Sequence, residues 1–190
     1  VLDCILTTAT SHGRVFIVEI MGHKVAWLTL HAGIAGGADV ILIPEIPYDI
    51  TKIVQTLEQR NQAGKGFSIL AVAEGAISKA ESKMSKKEFK AARAAMAEPS
   101  ISYRLAKEIG ELTGQEIRVT VPGHFQRGGS PCAYDRVLST RFGAAAARLI
   151  QEKKYGNMVA LQNNRIVAVP LSDVAGKLKA VPSDCDTIQS

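Results

Sequence analysis

The sequence predicts an α/β fold: a parallel sheet with helices over both faces. Two observations carry this. Short, unbroken apolar runs recur, clearest at Val15-Phe16-Ile17-Val18, at Val40-Ile41-Leu42-Ile43 and over residues 67–72. Between them lie segments whose apolar residues fall at helical spacing. Parallel strands are buried on both faces and need crossover helices, so they read as continuous apolar runs rather than alternating ones. The chain has 190 residues, 46% of them hydrophobic, enough for one domain, or one and a part, with a real core.

Taken in order, residues 14–20 form a buried strand around Val15, Phe16, Ile17, Val18 and Ile20. Trp27, Leu28, Leu30 and Ile34 then give a helix that Gly36-Gly37 ends. Asp39 and Pro44 bound the apolar strand 40–43. Asp49 suits the cap of a helix carrying Ile53, Val54 and Leu57. Ala63-Gly64-Lys65-Gly66 is a turn, and the strand 67–72 ends at Glu74-Gly75. Residues 76–98, rich in Ala, Lys, Glu and Ser, read as a mobile or surface helical insertion. A helix over 101–112 ends at Gly114, and a strand covers 117–121. Ser130 suits a helix cap and Pro131 a first turn, before a long helix from about Ala133 to Glu152. Residues 158–161 and 166–169 flank Gln162-Asn163-Asn164-Arg165 as a β-hairpin. A short helix over 171–178 follows, and the tail is expected to fray. There is no internal repeat and no low-complexity segment.

Composition excludes several classes. The net charge of +5 suits anionic small molecules. No dense Lys/Arg tract is interleaved with aromatics, which argues against nucleic acid. Lys83-Met84-Ser85-Lys86-Lys87 lies between Glu81 and Glu88 and reads as a solvated face. The three cysteines, Cys4, Cys132 and Cys185, are widely spaced and form no metal pattern, so a reducing cytoplasmic setting fits. No apolar run approaches the roughly 18–20 residues of a membrane span, and no signal peptide is visible.

The chemistry concentrates at Pro122-Gly123-His124-Phe125-Gln126-Arg127-Gly128-Gly129-Ser130-Pro131. Strand-to-helix loops of open α/β folds collect ligands, and free N–H groups there favour anions. Arg127 adds a planar cationic fork suited to phosphate, and His124 a donor whose charge follows pH. Arg14, Met21-Gly22, Glu74 and Arg118 also fall near predicted strand ends. Together they can converge on one phosphorylated ligand. The competing reading makes the arginines surface ion-pair partners, each worth little.

Gly123-His124-Phe125-Gln126-Arg127-Gly128-Gly129-Ser130-Pro131 followed by Tyr134-Asp135-Arg136 closely resembles the phosphofructokinase signature. Val18-Glu19-Ile20-Met21-Gly22, Ala35-Gly36-Gly37-Ala38-Asp39 and Ile43-Pro44-Glu45 agree, in the right order along nearly the whole chain. The resemblance implies a phosphofructokinase-like fold of two stacked α/β domains. Residues 1–125 would be the sugar-phosphate domain, residues 126–178 would pack on an N-terminal nucleotide domain absent here, and 179–190 would be a tail. The second domain is therefore incomplete. The implied reaction moves a phosphoryl group from ATP or pyrophosphate, with Mg²⁺, to the 1-hydroxyl of fructose 6-phosphate. Met21 and Gly22 would pack against the sugar, and Glu74 would accept from its hydroxyls. His124 and Arg127 would hold the 6-phosphate. Arg14 and Arg118 would reach into a neighbouring subunit's site, which implies a homo-oligomer.

The chain departs from the family pattern in places. His23 stands where the family commonly has Arg after Met-Gly, with Lys24 as a second source of charge, and Ala26 replaces a Gly. His23 is kept among the site residues. Leu6 occupies the position of an effector-binding Arg in many bacterial relatives, which argues against nucleotide activation. Trp27, Thr29 and His31 resemble a group that includes pyrophosphate-using members, so the donor stays open. The family's Gly-Gly-Asp segment and its Thr-x-Asp-Asn-Asp block are missing, and with them the donor site, the Mg²⁺ ligands and the catalytic Asp. No catalytic residue is therefore assigned to this chain. With an opening on Val1 rather than Met, this points to a C-terminal fragment, expected to be inactive alone. The alternative is a non-catalytic sugar-phosphate-binding or regulatory subunit that naturally lacks the kinase half.

Overall fold

A computed structural model of the chain describes residues 1–189. Backbone contacts divide it into two units, residues 1–126 with 180–190, and residues 127–179.

The first unit is built on a four-stranded parallel sheet in the order β2-β3-β1-β4, from β1 (Val15–Ile20), β2 (Val40–Leu42), β3 (Ser68–Ala73) and β4 (Ile117–Thr120). The two central strands are buried at every position, as their unbroken apolar runs require. Side chains alternate between two cores. Val15, Ile17, Leu70 and Val72 point to one, with Ile53 and Leu57 of α3 (Ile50–Gln62) and Ile101, Leu105 and Ile109 of α5 (Ile101–Thr113). Phe16, Val18, Ile20, Ile69 and Ala71 point to the other, with Leu2 and Ala9 of α1 (Leu2–His12). The helix α2 (Trp27–Ala35) lies on this second face. Gly33 permits its close approach, because a Cβ there would sit 2.7 Å from Ile41 Cδ1. Nothing in the sequence reading anticipated α1, whose C-terminus is closed by Gly13 in the left-handed region at φ 59°.

Asp49 caps α3 as expected, accepting from the Thr51 N–H at 3.0 Å. The stretch 76–98 carries the surface helix expected of it, but it is not helical throughout. It holds a single turn of 3₁₀-helix at Glu81–Lys83 and then α4 (Lys86–Ala94), which starts in a reciprocal Ser85/Glu88 capping box. Glu81 is buried. The tail does not fray along its length either. Val181 is 3% exposed and joins Ala26, Leu30, Ile43 and Ala73 in a third core cluster, with Cys185 and Ile188 packed against it. Apolar residues that few in a polar stretch carry no periodic signal.

The second unit consists of α6 (Ala133–Gln151), a hairpin of β5 (Asn157–Gln162) and β6 (Arg165–Pro170), and a short α7 (Leu171–Val174). The predicted hairpin is present. Asn163 and Asn164 take φ of 49° and 61°, the left-handed pair that a two-residue turn between twisted strands requires. Ser130 does not cap α6. The cap position is Cys132, without a side-chain bond, and Pro131 O instead accepts from Arg136 Nε at 2.9 Å. The helix expected over 171–178 stops after one turn, and Gly176 turns the chain at φ 72°. Within α6 only Ala145 is buried, while Tyr134, Val137 and Ile150 are exposed.

Candidate functional site

The chain order explains where a ligand can sit. The connection from β1 runs through α2 on one face of the sheet, and the connection from β3 runs through α5 on the other. β1 and β3 are neighbours, so their C-terminal ends are where the direction of winding switches. Loops there diverge and leave a crevice, the usual ligand position of open α/β sheets.

Met21-Gly22-His23 follows β1 and Glu74-Gly75 follows β3, one on each side of that crevice. The two loops are bonded together. Gly22 N–H donates to Glu74 Oε1 at 3.2 Å, and Gly75 N–H donates to Gly22 O at 3.2 Å. Gly75 admits no side chain, since a Cβ would fall 1.9 Å from the His23 carbonyl oxygen. Gly22 takes a φ of 152° that L side chains rarely adopt. The turn after β4 joins the same end of the sheet. Gln126 Oε1 accepts from Met21 N–H at 3.1 Å, and Gln126 Nε2 donates to Gly123 O. His124 lies inside that single 3₁₀ turn, Gly123–Arg127, and is exposed. Glu74 and His23 are exposed too. One end of the sheet thus presents an acceptor carboxylate, two histidines and bare backbone.

Arg127 is the first residue of the second unit. It is exposed, and no ion pair among the described residues engages it.

Arg14 and Arg118 sit elsewhere. Arg14 precedes β1 and Arg118 is the second residue of β4, so both belong to the opposite, N-terminal end of the sheet. An extended strand rises about 3.3 Å per residue, which puts Arg14 roughly 20 Å from Met21. Both guanidiniums converge on Glu116, Arg14 Nε at 2.7 Å from Oε2 and Arg118 through Oε1. Arg14 and Glu116 border a concavity of roughly 480 Å³ that also includes Lys65, Asn61 and Ser68. The eight predicted site residues therefore do not form one cluster. Met21, Gly22, His23, Glu74 and His124 gather at one end, while Arg14 and Arg118 gather at the other.

Several contributors escaped the sequence reading. Glu19, the penultimate residue of β1, is 7% exposed. Its Oε2 accepts from Ser100 Oγ at 2.5 Å and from Ser102 N–H at 3.3 Å, so it anchors the start of α5, where a helix dipole favours a carboxylate. A lone acid inside an apolar strand was its signal. Glu45 Oε1 accepts from Ala26 N–H and Val181 N–H, both at 3.1 Å, tying the loop after Met21-Gly22 to the tail. Gln126 stood inside the quoted signature, but its role depends on a partner 105 residues away.

The sequence matches the family model described as Phosphofructokinase over residues 1–150. The chain belongs to the phosphofructokinase family. It is 56% identical over 183 residues to an ATP-dependent 6-phosphofructokinase of Spirochaeta thermophila, covering 96% of this chain and 50% of that protein. It is 46% identical over 187 residues to the ATP-dependent 6-phosphofructokinase of Chloroflexus aurantiacus, covering 98% of this chain and 51% of the relative. The chain thus spans about half the length of the curated relatives it matches. Among solved structures it resembles phosphofructokinase from Saccharomyces cerevisiae, with a TM-score of 0.74 at 34% identity, over 90% of this chain and 21% of that one. The fold also matches a pyrophosphate-dependent phosphofructokinase from Marinobacter aquaeolei at a TM-score of 0.71 and 21% identity, over 98% of this chain and 50% of that one. All eight predicted site residues lie inside the matched family region.

Proposed function

We propose that this chain is the C-terminal, sugar-phosphate-binding part of a 6-phosphofructokinase, whose whole form transfers a phosphoryl group from ATP to the 1-hydroxyl of fructose 6-phosphate. The observation that carries the reading is the bonded crevice at the β1–β3 switch point, Gly22 N–H on Glu74 Oε1, in a chain that belongs to this family. Relatives named as ATP-dependent support ATP over pyrophosphate as donor. They are named as kinases, which disfavours the alternative of a non-catalytic binding subunit.

The chemistry asked of this half is positioning. Phosphoryl transfer depends on alignment and charge stabilisation more than on covalent help from the protein. An ionised Glu74 is an acceptor only, so it reads sugar hydroxyls, while Met21 and Gly22 offer a close backbone wall. Arg127 and His124 supply donors for the 6-phosphate, and His23 stands where the family has a guanidinium, with Lys24 next to it as a second source of charge. Mg²⁺ would accompany the donor and neutralise developing charge. Among the described residues, no group of three or more His, Cys, Asp or Glu could hold a metal ion, so no step is assigned to it in this chain. The exposed Tyr134, Val137 and Ile150 on α6 suit packing against the nucleotide-binding half. Arg14 and Arg118, at the far end of the sheet from Glu74, cannot serve their own chain's crevice and suit a neighbour's in a homo-oligomer. No helix of the described residues is long and apolar enough to cross a membrane. With three free cysteines, a cytoplasmic setting is the one that fits.

The test is kinetic. The full-length protein is expected to phosphorylate fructose 6-phosphate from ATP, and the isolated chain to turn over neither donor. Arg127→Ala in the full-length protein should weaken apparent sugar-phosphate affinity about 10- to 150-fold, the range of a charge-assisted hydrogen bond. Lys should rescue only in part, because the planar fork is lost. Unchanged affinity would reduce Arg127 to a surface residue, and turnover by the isolated chain would overturn the division of labour.

A further inference from the structure

Two residues beyond Glu74 the chain meets a buried ionic cluster that the sugar crevice does not use. Its centre is Glu81, whose side chain is 5% exposed. Arg104 grips the carboxylate with both Nη atoms, at 2.9 Å to Oε1 and 2.9 Å to Oε2, and Ser78 N–H adds a bond at 2.8 Å. Arg93 Nε lies 2.9 Å from Oε1. The same guanidinium reaches further. Arg93 Nη2 donates to the Ala76 carbonyl at 2.6 Å. Ala76 N–H donates to Ala73 O at 2.9 Å, which closes the tight turn that has Glu74 and Gly75 at its tip.

The helix that carries Arg93 is unusual. No residue of α4 is buried, so it adds almost nothing to the core. It is nevertheless well built. Ser85 and Glu88 cap its start, and the Arg93 guanidinium stacks over Phe89 at 5.1 Å from the ring centroid. Its one inward commitment among these contacts is Arg93, in its last turn. We propose that Arg93, held by Glu81, is a positioning residue for Glu74: it clamps the Ala76 carbonyl and so fixes the turn that presents the hydroxyl-accepting carboxylate to the crevice. This rests on the reading of Glu74 as a sugar ligand. Arg93 Nη2 reaches both the Ala76 carbonyl and Glu81 Oε2, at 2.6 and 3.3 Å, from a rigid planar fork, and the flexible ammonium of Lys holds that geometry less firmly, so Lys cannot replace it fully.

A double-mutant cycle in the full-length enzyme tests this. KM for fructose 6-phosphate, KM for ATP and kcat are measured for Arg93→Ala, Arg93→Lys, Glu74→Ala and the two double variants. Arg93→Ala is expected to raise the sugar KM roughly ten-fold, the scale of one hydrogen bond, with the ATP KM unchanged. Arg93→Lys should lie between wild type and Ala. In the Glu74→Ala background, either change at 93 should add about two-fold or less. A merely structural role would lower the folded fraction and apparent kcat while leaving both KM values alone, and that result overturns the proposal. An equal rise in both backgrounds also overturns it, while leaving Glu74 as a sugar ligand. Should Glu74→Ala itself leave the sugar KM unchanged, the sugar-site reading fails and the clamp falls with it. If Arg93→Ala does not fold, Arg93→Lys carries the same comparison, since Glu81 keeps a second cation in both backgrounds.

Discussion

At the scale of single residues, the crevice depends on what is absent as much as on what is present. Gly75 is the sharpest case. Its φ is not unusual, and the constraint is steric: the nearest atoms to a new Cβ are the carbonyl oxygen and carbon of His23, at 1.9 and 2.6 Å. Backbone cannot swing aside as a side-chain tip can. Gly75→Ala is therefore expected to push the Met21-Gly22-His23 loop away from Glu74 and break the Gly75–Gly22 bond. Overpacking of this kind costs about 1–3 kcal/mol. Urea unfolding should register that loss, and the full-length enzyme should show a raised sugar KM with the ATP KM unchanged. If both stability and sugar KM match the wild type, the close approach of the two loops is not a property of the molecule. Glu19 makes the complementary point. A buried carboxylate is tolerated in β1 because two donors at the start of α5 meet it.

At the scale of elements, the segment between β3 and α5 is tied down by charge instead of apolar burial. Burial alone pushes the Glu81 carboxyl up, but the bond from Arg104, the Ser78 N–H and the charges of Arg93 and Arg104 together outweigh it and hold the group at about 2, against an ordinary 4.5. The partner guanidinium of Arg104 is correspondingly held more firmly protonated, against its own burial. Burial also raises the Tyr48 phenol, whose oxygen accepts from Arg104 at 3.0 Å. A carboxyl depressed on folding contributes stability that is fully present above its unfolded value and is lost as pH falls through its folded value. The window here runs from pH 4.5 down to about 2, and the contribution is on the order of 3 kcal/mol. Wild type should accordingly lose its advantage over Glu81→Gln as pH falls through that window, measured by urea midpoints at matched ionic strength. A gap between the two that stays constant from pH 6 to pH 2 would show that the cluster does not titrate this way.

At the scale of the whole molecule, the two groups of predicted ligands lie at opposite ends of one sheet. An Arg side chain extends roughly 7 Å, far short of the roughly 20 Å of strand between Arg14 and Met21. Either Arg14 and Arg118 only hold Glu116, or they complete another chain's site. Exposed ion pairs are worth about 0–1 kcal/mol, so the first role predicts little effect of removing either. The second predicts complementation. Full-length Arg118→Ala and Arg127→Ala proteins should each be impaired. After subunit exchange, some mixed sites would lack both arginines and others would retain both. Activity above the mean of the two mutants, appearing only after exchange, is the expected outcome. Exchange verified by an independent label with no gain in activity would return Arg118 to its own chain.

What was legible in the sequence follows the range of the forces involved. Unbroken apolar runs, helix stop signals, the Asp49 cap and the Asn163-Asn164 turn are local, so fold class, most elements and the hairpin could be read directly. The signature around Gly123–Arg127 and the Met21-Gly22 block marked the family, because short-range chemistry dictates those residue types. The 1–12 helix and the buried part of the tail carry weak periodicity, and only contacts with the sheet decide them. Ser130 had the right chemistry for a cap, but the cap falls on Cys132, because the path of the preceding loop sets where helical dihedrals begin. Which ligands share a crevice, and that Arg14 and Arg118 do not, depends on strand order β2-β3-β1-β4. The bonds that hold the site, Gln126 to Met21, Glu19 to Ser100 and Arg93 to Ala76, join residues 105, 81 and 17 positions apart. No local pattern encodes such pairs: residue type and spacing determined what this chain can recognise, and only tertiary packing decided which of its charges meet.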